Sequence, residues 1–258
     1  MSEAPNKVEL IALEGVPLVN AGDDLAGIVV EALARSGLWL TERDVLVVAQ
    51  KIVSKSEGRL VRLATVEPSP RAREVSRIVD KDPRLVEIIL RESREVLRMR
   101  AGVIVVEDAR GLVLANAGVD ASNANAIGGD ESVLLLPVDP DESADRLRYG
   151  LRTLTGVEIG IVINDSIGRA WRNGTIGTAI GVSGLPALLD LRGERDLFDR
   201  PLRTTDLGLA DEIAAAASLL MGQAGEGRPL VLARGIPYAR REGSARELSR
   251  DRKLDLFR

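Results

Sequence analysis

Short apolar blocks alternate with polar, glycine-punctuated segments along this chain, and their periods assign most of its secondary structure. Val8 to Leu13, Asp44 to Ala49, Val133 to Leu136, Val157 to Ile163 and Pro229 to Ala233 are dense in aliphatic and β-branched residues over lengths that suit buried strands. Leu25, Ile28, Val29, Ala32 and Leu33 recur at the helical period just after Gly22-Asp23-Asp24, whose short polar side chains suit an N-cap. A charged helical region is expected from about Pro70 to Arg98, broken near Asp82-Pro83, because proline restricts the residue before it and can start a new helix. Val103 to Glu107 and Leu112 to Ala115 read as a hairpin turning at Asp108-Ala-Arg-Gly111. Ala144 to Leu154 predicts a helix, Ile176 to Ser183 and Ala187 to Leu191 predict strands of small residues, and Asp206 to Met221 predicts an alanine-rich helix stopped by Gly222.

Strands and helices in this order do not alternate regularly enough for a doubly wound sheet, so the expected class is α+β with mixed sheets. Between the elements lie a turn at Gly15-Val-Pro17-Leu-Val19, a polar segment from Gln50 to Gly58 and a loop from Asn116 to Asn123. Residues 239–258 carry charges of both signs densely and predict a solvated helix or a mobile end. No internal repeat or low-complexity tract interrupts the chain.

Composition removes much of the usual chemistry. The 258 residues include no histidine and no cysteine, so imidazole bases, thiol nucleophiles, thiolate zinc sites and disulfides are impossible. Catalysis must use carboxylates, Lys, Arg, hydroxyls, carboxamides, backbone amides or a metal, and oxygen ligands favour Mg²⁺ or Mn²⁺. Hydrophobic residues make up 45% of the chain but aromatics only 2%, so the core must be aliphatic. A net charge of −4 gives no general attraction for nucleic acid or anionic membrane, and the aromatics that stack on single strands are scarce. The N-terminus lacks the apolar core of a signal peptide and no stretch approaches the ~18 apolar residues of a membrane span. A soluble cytoplasmic protein is expected, with no nucleic acid and no membrane as partner.

The densest candidate chemistry is Ile161-Val-Ile-Asn164-Asp165-Ser166-Ile-Gly168-Arg169-Ala-Trp171-Arg172-Asn173-Gly174. Its apolar run places Asp165 and Ser166 at a strand end, where a carboxylate and a hydroxyl can meet a hard cation while Arg169 and Arg172 hold the accompanying anion. A second such place is the loop Asn116 to Asn123, where Asp120, Ser122 and Asn123 follow another apolar strand. Both segments are also compatible with ordinary Asx-rich turns. Lys51 and Lys55 follow a strand end in a chain whose basic residues are mostly arginine; they suit phosphate contacts, or are solvated surface lysines. No P-loop signature occurs, and no Gly-x-Gly-x-x-Gly follows a strand. Met221-Gly222-Gln223-Ala224-Gly225-Glu226-Gly227-Arg228 is a glycine-rich loop whose amides could approach an anion, although Gly222 alone would serve as a helix stop.

Taken in order, these segments resemble the coenzyme F420-0:L-glutamate ligase (F420-0:gamma-glutamyl ligase) family. The resemblance runs nearly end to end and is carried by Glu14-Gly-Val-Pro-Leu18, Asp44-Val-Leu-Val-Val-Ala-Gln-Lys-Ile-Val-Ser-Lys55, Asn116-Ala-Gly-Val-Asp-Ala-Ser-Asn123, Ile163-Asn-Asp-Ser-Ile-Gly-Arg169, Asp211-Glu-Ile-Ala-Ala-Ala-Ala217 and Leu220-Met-Gly-Gln223. It implies a GTP-dependent ligase of coenzyme F420 biosynthesis, which activates the terminal carboxylate of coenzyme F420-0 as an acyl phosphate for attack by L-glutamate. It further implies two divalent cations, Mg²⁺ or Mn²⁺, and a response to a monovalent cation such as K⁺. Carried over by position, Asp120 and Asp165 would hold one divalent cation, and Ser166 and Gln223 would help hold the second. Gln223 is a neutral ligand, which makes that second position the weaker one. Val16, Pro17, Leu18, Val19, Gln50, Lys51, Lys55, Asn123 and the loop Met221, Gly222, Gln223, Ala224, Gly225, Glu226, Gly227 and Arg228 would border the GTP. Asp120, Asp165, Lys55 and Arg169 would act directly in catalysis.

The same resemblance implies one module over residues 1–258, built as two subdomains and paired as an intertwined homodimer. The nitroreductase-like domain fused to some relatives is not expected here. Two other readings of the residues stay open: a nucleotide- and metal-dependent carboxylate–amine ligase with a different phospho-acid acceptor, and a non-catalytic nucleotide-binding protein.

Overall fold

In the computed structural model, residues 7–121 and 131–256 are described. Twelve strands and six α-helices are found among them. Strands β1 (Glu9–Ala12), β2 (Val45–Ala49), β8 (Gly160–Gly168), β9 (Thr175–Ser183) and β12 (Leu230–Arg234) form one mixed sheet in the order β1-β12-β2-β8-β9. Only β2 and β8 pair in parallel; every other neighbour in that sheet is antiparallel. A smaller sheet joins β4 (Ser93–Arg100), β5 (Val103–Asp108) and β6 (Val113–Ala115), and two further pairs join β3 (Leu60–Arg62) to β7 (Ser132–Leu134) and β10 (Leu189–Asp190) to β11 (Asp206–Leu207). The α+β class with mixed sheets is the one expected.

The main sheet is apolar on both faces, which is why its strands read as unbroken aliphatic runs rather than alternating ones. Leu46, Val48, Ile161 and Ile163 face helices α1 (Leu25–Arg35) and α5 (Pro140–Thr155), whereas Val45, Val47 and Val162 face α6 (Leu209–Met221). Helix α1 starts where Asp24 accepts a hydrogen bond from the Ala26 amide at 3.0 Å and buries Ala26, Val29, Ala32 and Leu33. Close packing of α6 on β9 needs a glycine: a Cβ at Gly177 would stand 2.0 Å from Ser218 Oγ and 2.5 Å from the Ala214 carbonyl. A separate apolar cluster of Val75, Val79, Val86, Ile89, Ile104 and Val106 lies where α3 (Pro70–Val79) and α4 (Pro83–Arg91) cover the β4-β5-β6 sheet.

Several expectations are corrected. The helical region does not reach Arg98: α3 and α4 are separate helices, each with proline at its first position, and Ser93 onward is strand β4. Tertiary pairing with β5 overrides the helical propensity of this Arg-, Glu- and Leu-rich segment, at the cost of two irregularities in register. Gln50 to Ser56, read as a polar segment, is helix α2, continuing directly from β2. Strand β8 runs on to Gly168, so Asp165 and Ser166 lie inside it, paired with β9, rather than beyond its end. The expected strand Ala187 to Leu191 shrinks to Leu189–Asp190, and α6 begins at Leu209 because Asp206–Leu207 pairs with that short strand. The tail is neither a solvated helix nor loose over Ser244 to Leu248. It forms a 3-10 turn with a Ser244/Glu247 capping box, buries Ala245, and gives the Ala245 amide to Asp141 of α5 at 2.8 Å.

Candidate active site

Strand register alone brings four segments to one end of the main sheet. Ala49 pairs with Asn164 in the parallel ladder, so Gln50 and Lys51 leave it beside Asp165 and Ser166. Beta-12 runs antiparallel to β2, and the Ala49 amide donates to the Pro229 carbonyl at 2.8 Å, which sets the Met221 to Arg228 loop at that same end. The Leu13 amide donates to Leu230 O at 2.9 Å, so the chain leaving β1 carries Val16 to Val19 there as well. Ligand clefts commonly open where parallel strands end and connections diverge.

The result is a cleft of about 980 Å³ lined by residues 16–19, Gln50, Lys51, Lys55, Asp120, Asp165, Ser166, Met221 to Gly225, Gly227 and Arg228. Of the described residues singled out from sequence, Arg169, Arg172 and Glu226 are not in the lining. Arg169 and Arg172 are exposed in the β8–β9 connection, where Arg169 Nη1 donates to the Gly174 carbonyl at 3.4 Å, and Ser122 and Asn123 lie outside the described residues.

Helix α2 explains the two lysines. A spacing of four residues puts Lys51 and Lys55 on one face, turned to the cleft, while Gln50 and Ser54 are buried and joined by a 2.9 Å bond from Ser54 Oγ to Gln50 Oε1. Asp120 comes from the other side of the cleft. Its backbone is fixed by two bonds with Leu134, at 2.9 and 2.8 Å, and its carboxylate meets Lys51 Nζ at 2.6 Å. The preceding residues Asn116, Ala117 and Gly118 all have positive φ, and a Cβ at Gly118 would stand 2.6 Å from Leu136 Cδ1, so this tight bend is needed to aim Asp120.

Burial pushes the Asp165 carboxyl up to about 6, and the charge of Asp120 adds to the rise; the Ser166 amide, 2.8 Å from Asp165 Oδ1, and the Lys51 ammonium oppose it. Asp165 and Asp120 are therefore electrostatically coupled anions that a cation would stabilise. No group of three or more carboxylates able to hold a metal occurs among the described residues. A divalent cation here would need oxygens from Ser166, Gln223 or a bound phosphate besides the two aspartates, a donor set that suits Mg²⁺ or Mn²⁺. The residues present fit such an ion.

Glu226 holds the glycine-rich loop from outside. Its carboxylate accepts from the Ala224 amide at 2.8 Å and is held below the usual range by its own backbone N–H and by that of Ala224, with Gln223 N–H and Arg228 adding. Gly222 suits this loop because its φ of 73° with ψ −177° is a conformation that residues with a side chain rarely adopt.

Sequence reasoning passed over Asn164, which also lines the cleft. Its Nδ2 donates to Ser218 Oγ at 3.0 Å and faces Met221 Sδ at 3.3 Å. Ser218 Oγ donates to Ala214 O at 3.0 Å, so it must accept from Asn164, and this orientation leaves the buried Asn164 Oδ1 without a partner among the described residues. The available signal was a carboxamide interrupting an apolar strand. Thr175, which also lines the cleft, had no such signal.

A model of the F420-0:Gamma-glutamyl ligase family matches residues 15–235. The chain is 46% identical to coenzyme F420:L-glutamate ligase of Methanothermobacter thermautotrophicus, over 97% of this chain and 99% of that one. It is 46% identical to the protein of the same name from Methanopyrus kandleri, over 96% of this chain and 98% of the relative, and 39% identical to that of Methanocaldococcus jannaschii over the full length of both. With a match this long, the chain belongs to the F420-0:gamma-glutamyl ligase family.

Proposed function

We propose that the protein is a GTP-dependent ligase that joins L-glutamate to the terminal carboxylate of coenzyme F420-0. The observation that carries this reading is the meeting of Lys51, Lys55, Asp120, Asp165 and the glycine-rich loop in one cleft, in a chain whose close relatives are named coenzyme F420:L-glutamate ligases. In the first step a carboxylate oxygen of the acceptor attacks the γ-phosphorus of GTP, the bond to the β-phosphate oxygen breaks, and GDP leaves. In the second, the glutamate amine attacks the acyl carbon, loses a proton, and inorganic phosphate departs as the amide forms. Such chemistry needs alignment and charge neutralisation more than a strong base, so a site with no histidine suffices.

Lys55 and Lys51 supply point charges for phosphate oxygens, and the amides of the Met221 to Arg228 loop approach the nucleotide. Asp120 and Asp165 would hold one divalent cation, and Ser166 with Gln223 would help hold a second. Bound there, Mg²⁺ or Mn²⁺ would neutralise charge developing on the transferred phosphoryl group. A monovalent cation such as K⁺ belongs to the same reading, as does GTP as the nucleotide.

The reading extends to a twofold homodimer of two-part subunits. Support comes from the arm between β10 and β11, which carries Leu197 fully exposed and Phe198 76% exposed at its end, an arrangement costly in water unless covered.

Mass spectrometry of coenzyme F420-0 incubated with the protein, GTP, L-glutamate and Mn²⁺ or Mg²⁺ tests the function. A product heavier by one or more glutamate residues, with GDP and phosphate released in step, is expected. Turnover only with another phospho-acid would transfer the activity to a different acceptor, and tight GTP binding without any product would refute catalysis.

A further inference from the structure

Lys51 makes its ion pair with a carboxylate that the reading above gives to a metal. Its Nζ is 2.6 Å from Asp120 Oδ2, with the Lys51 side chain 37% and that of Asp120 23% exposed. Both ends are fixed in place by backbone: Lys51 lies in the first turn of α2 and Asp120 is bonded through its N–H and C=O to Leu134. Asp165, the second candidate ligand, feels the charges of both Asp120 and Lys51.

We propose that Lys51 is a counter-ion that competes with a divalent cation for Asp120, being displaced when the cation binds and then becoming available to a nucleotide phosphate. This rests on Asp120 and Asp165 being metal ligands. The physical reason is direct. A divalent ion on Asp120 would lie within a few ångströms of the ammonium, and like charges at that separation repel strongly in a half-buried cleft. A lysine can answer by swinging on its flexible stem, whereas arginine tends to lock into bidentate pairs. Lys55, one turn further along the same face of α2, lines the cleft as well and marks the side to which the ammonium can turn. The device orders binding: metal first frees the lysine, and the lysine then strengthens the hold on phosphate.

The test is titration with Mn²⁺ alone, followed by electron paramagnetic resonance, on the full chain and on Lys51→Met, Lys51→Arg and Asp165→Asn. A parallel titration uses a non-hydrolysable GTP analogue. Lys51→Met should bind Mn²⁺ more tightly, by about tenfold for one removed charge competitor, and bind the analogue more weakly. Lys51→Arg keeps the charge but would lock onto Asp120, so it should bind Mn²⁺ no more tightly than the parent and the analogue more weakly. A variant that had merely lost cleft structure would weaken both, and its melting temperature would gain less from Mn²⁺ than the parent, where the proposal requires a larger gain. Unchanged or weaker Mn²⁺ binding in Lys51→Met, with Asp165→Asn binding poorly, overturns the counter-ion role alone. If the parent binds no Mn²⁺, or Asp165→Asn binds it equally well, the metal reading falls and the counter-ion role with it.

Discussion

Asn164 Nδ2 donates to Ser218 Oγ across 3.0 Å, tying the strand that carries Asp165 and Ser166 to the helix whose end opens the glycine-rich loop. The same carboxamide reaches Met221 Sδ at 3.3 Å, one residue before Gly222. One buried side chain therefore joins the two halves of the cleft wall.

Replacing Asn164 with Ala should cost about 1–3 kcal/mol of stability through the lost bond and the small cavity left behind. Nucleotide affinity should fall too, since Met221 loses its contact at the foot of the loop. Thermal melts beside nucleotide titrations will measure both; GTP affinity equal to the parent's would show that Asn164 serves packing alone.

Asp165→Asn should have opposite effects on activity and on the metal-free protein. Turnover is expected to drop by about 100-fold or more, because the proposed function makes Asp165 a ligand of a charge-neutralising cation. Stability should move the other way. Burial raises the folded-state carboxyl to about 6 from the ordinary 3.8, so as pH climbs through that interval the unfolded chain ionises first and the native state loses ground. Well below pH 3.8 both states are protonated and the penalty vanishes; well above pH 6 it is complete. With chelator present, the Asn variant should therefore melt higher than the parent at pH 8, and by much less at pH 4. A lower melting temperature at pH 8 would contradict the burial argument.

Lys55→Ala should act on binding more than on chemistry. Lys55 lines the cleft on the face of α2 that carries Lys51, and losing a phosphate contact weakens GTP while leaving turnover at saturation less affected. GTP is also expected to outperform ATP. Isothermal titration that finds parental GTP affinity in this variant would remove Lys55 from the site.

If strands or arms are shared between subunits, association and folding are coupled and the melting midpoint should rise with protein concentration. Phe198→Asp at the exposed end of the arm should lower that dependence and shift light scattering toward the monomer. A parent protein that is monomeric at micromolar concentration, active, and insensitive to dilution would exclude the dimer.

Local signals were read well from sequence where the chemistry is local. Asp24 before Leu25 and proline at the start of α3 and α4 impose structure through a cap and fixed φ with no distant partner needed, while the aliphatic runs of β2, β8 and β12 mark buried strands by composition. The segment around Asp165 and the loop Asn116 to Asn123 stood out because each sets oxygen donors directly after an apolar run, a pattern that ordinary turns share. Segments whose form depends on a distant partner were misread. Ser93 to Arg100 became a strand only because β5 lies beside it, and Gln50 to Ser56 became a helix whose buried face needs the core to cover it.

By itself, then, the sequence determined the α+β class, the aliphatic core, the family and the exclusion of imidazole and thiol chemistry, since composition and short-range pattern carry that information. Only the tertiary structure decided that Asp120, from beyond the small sheet, meets Lys51 of α2, that Asp165 lies within a strand and has a raised pKa, and that Asn164 ties β8 to α6. Those relationships depend on strand register and burial, and both arise from pairing between residues far apart in the chain.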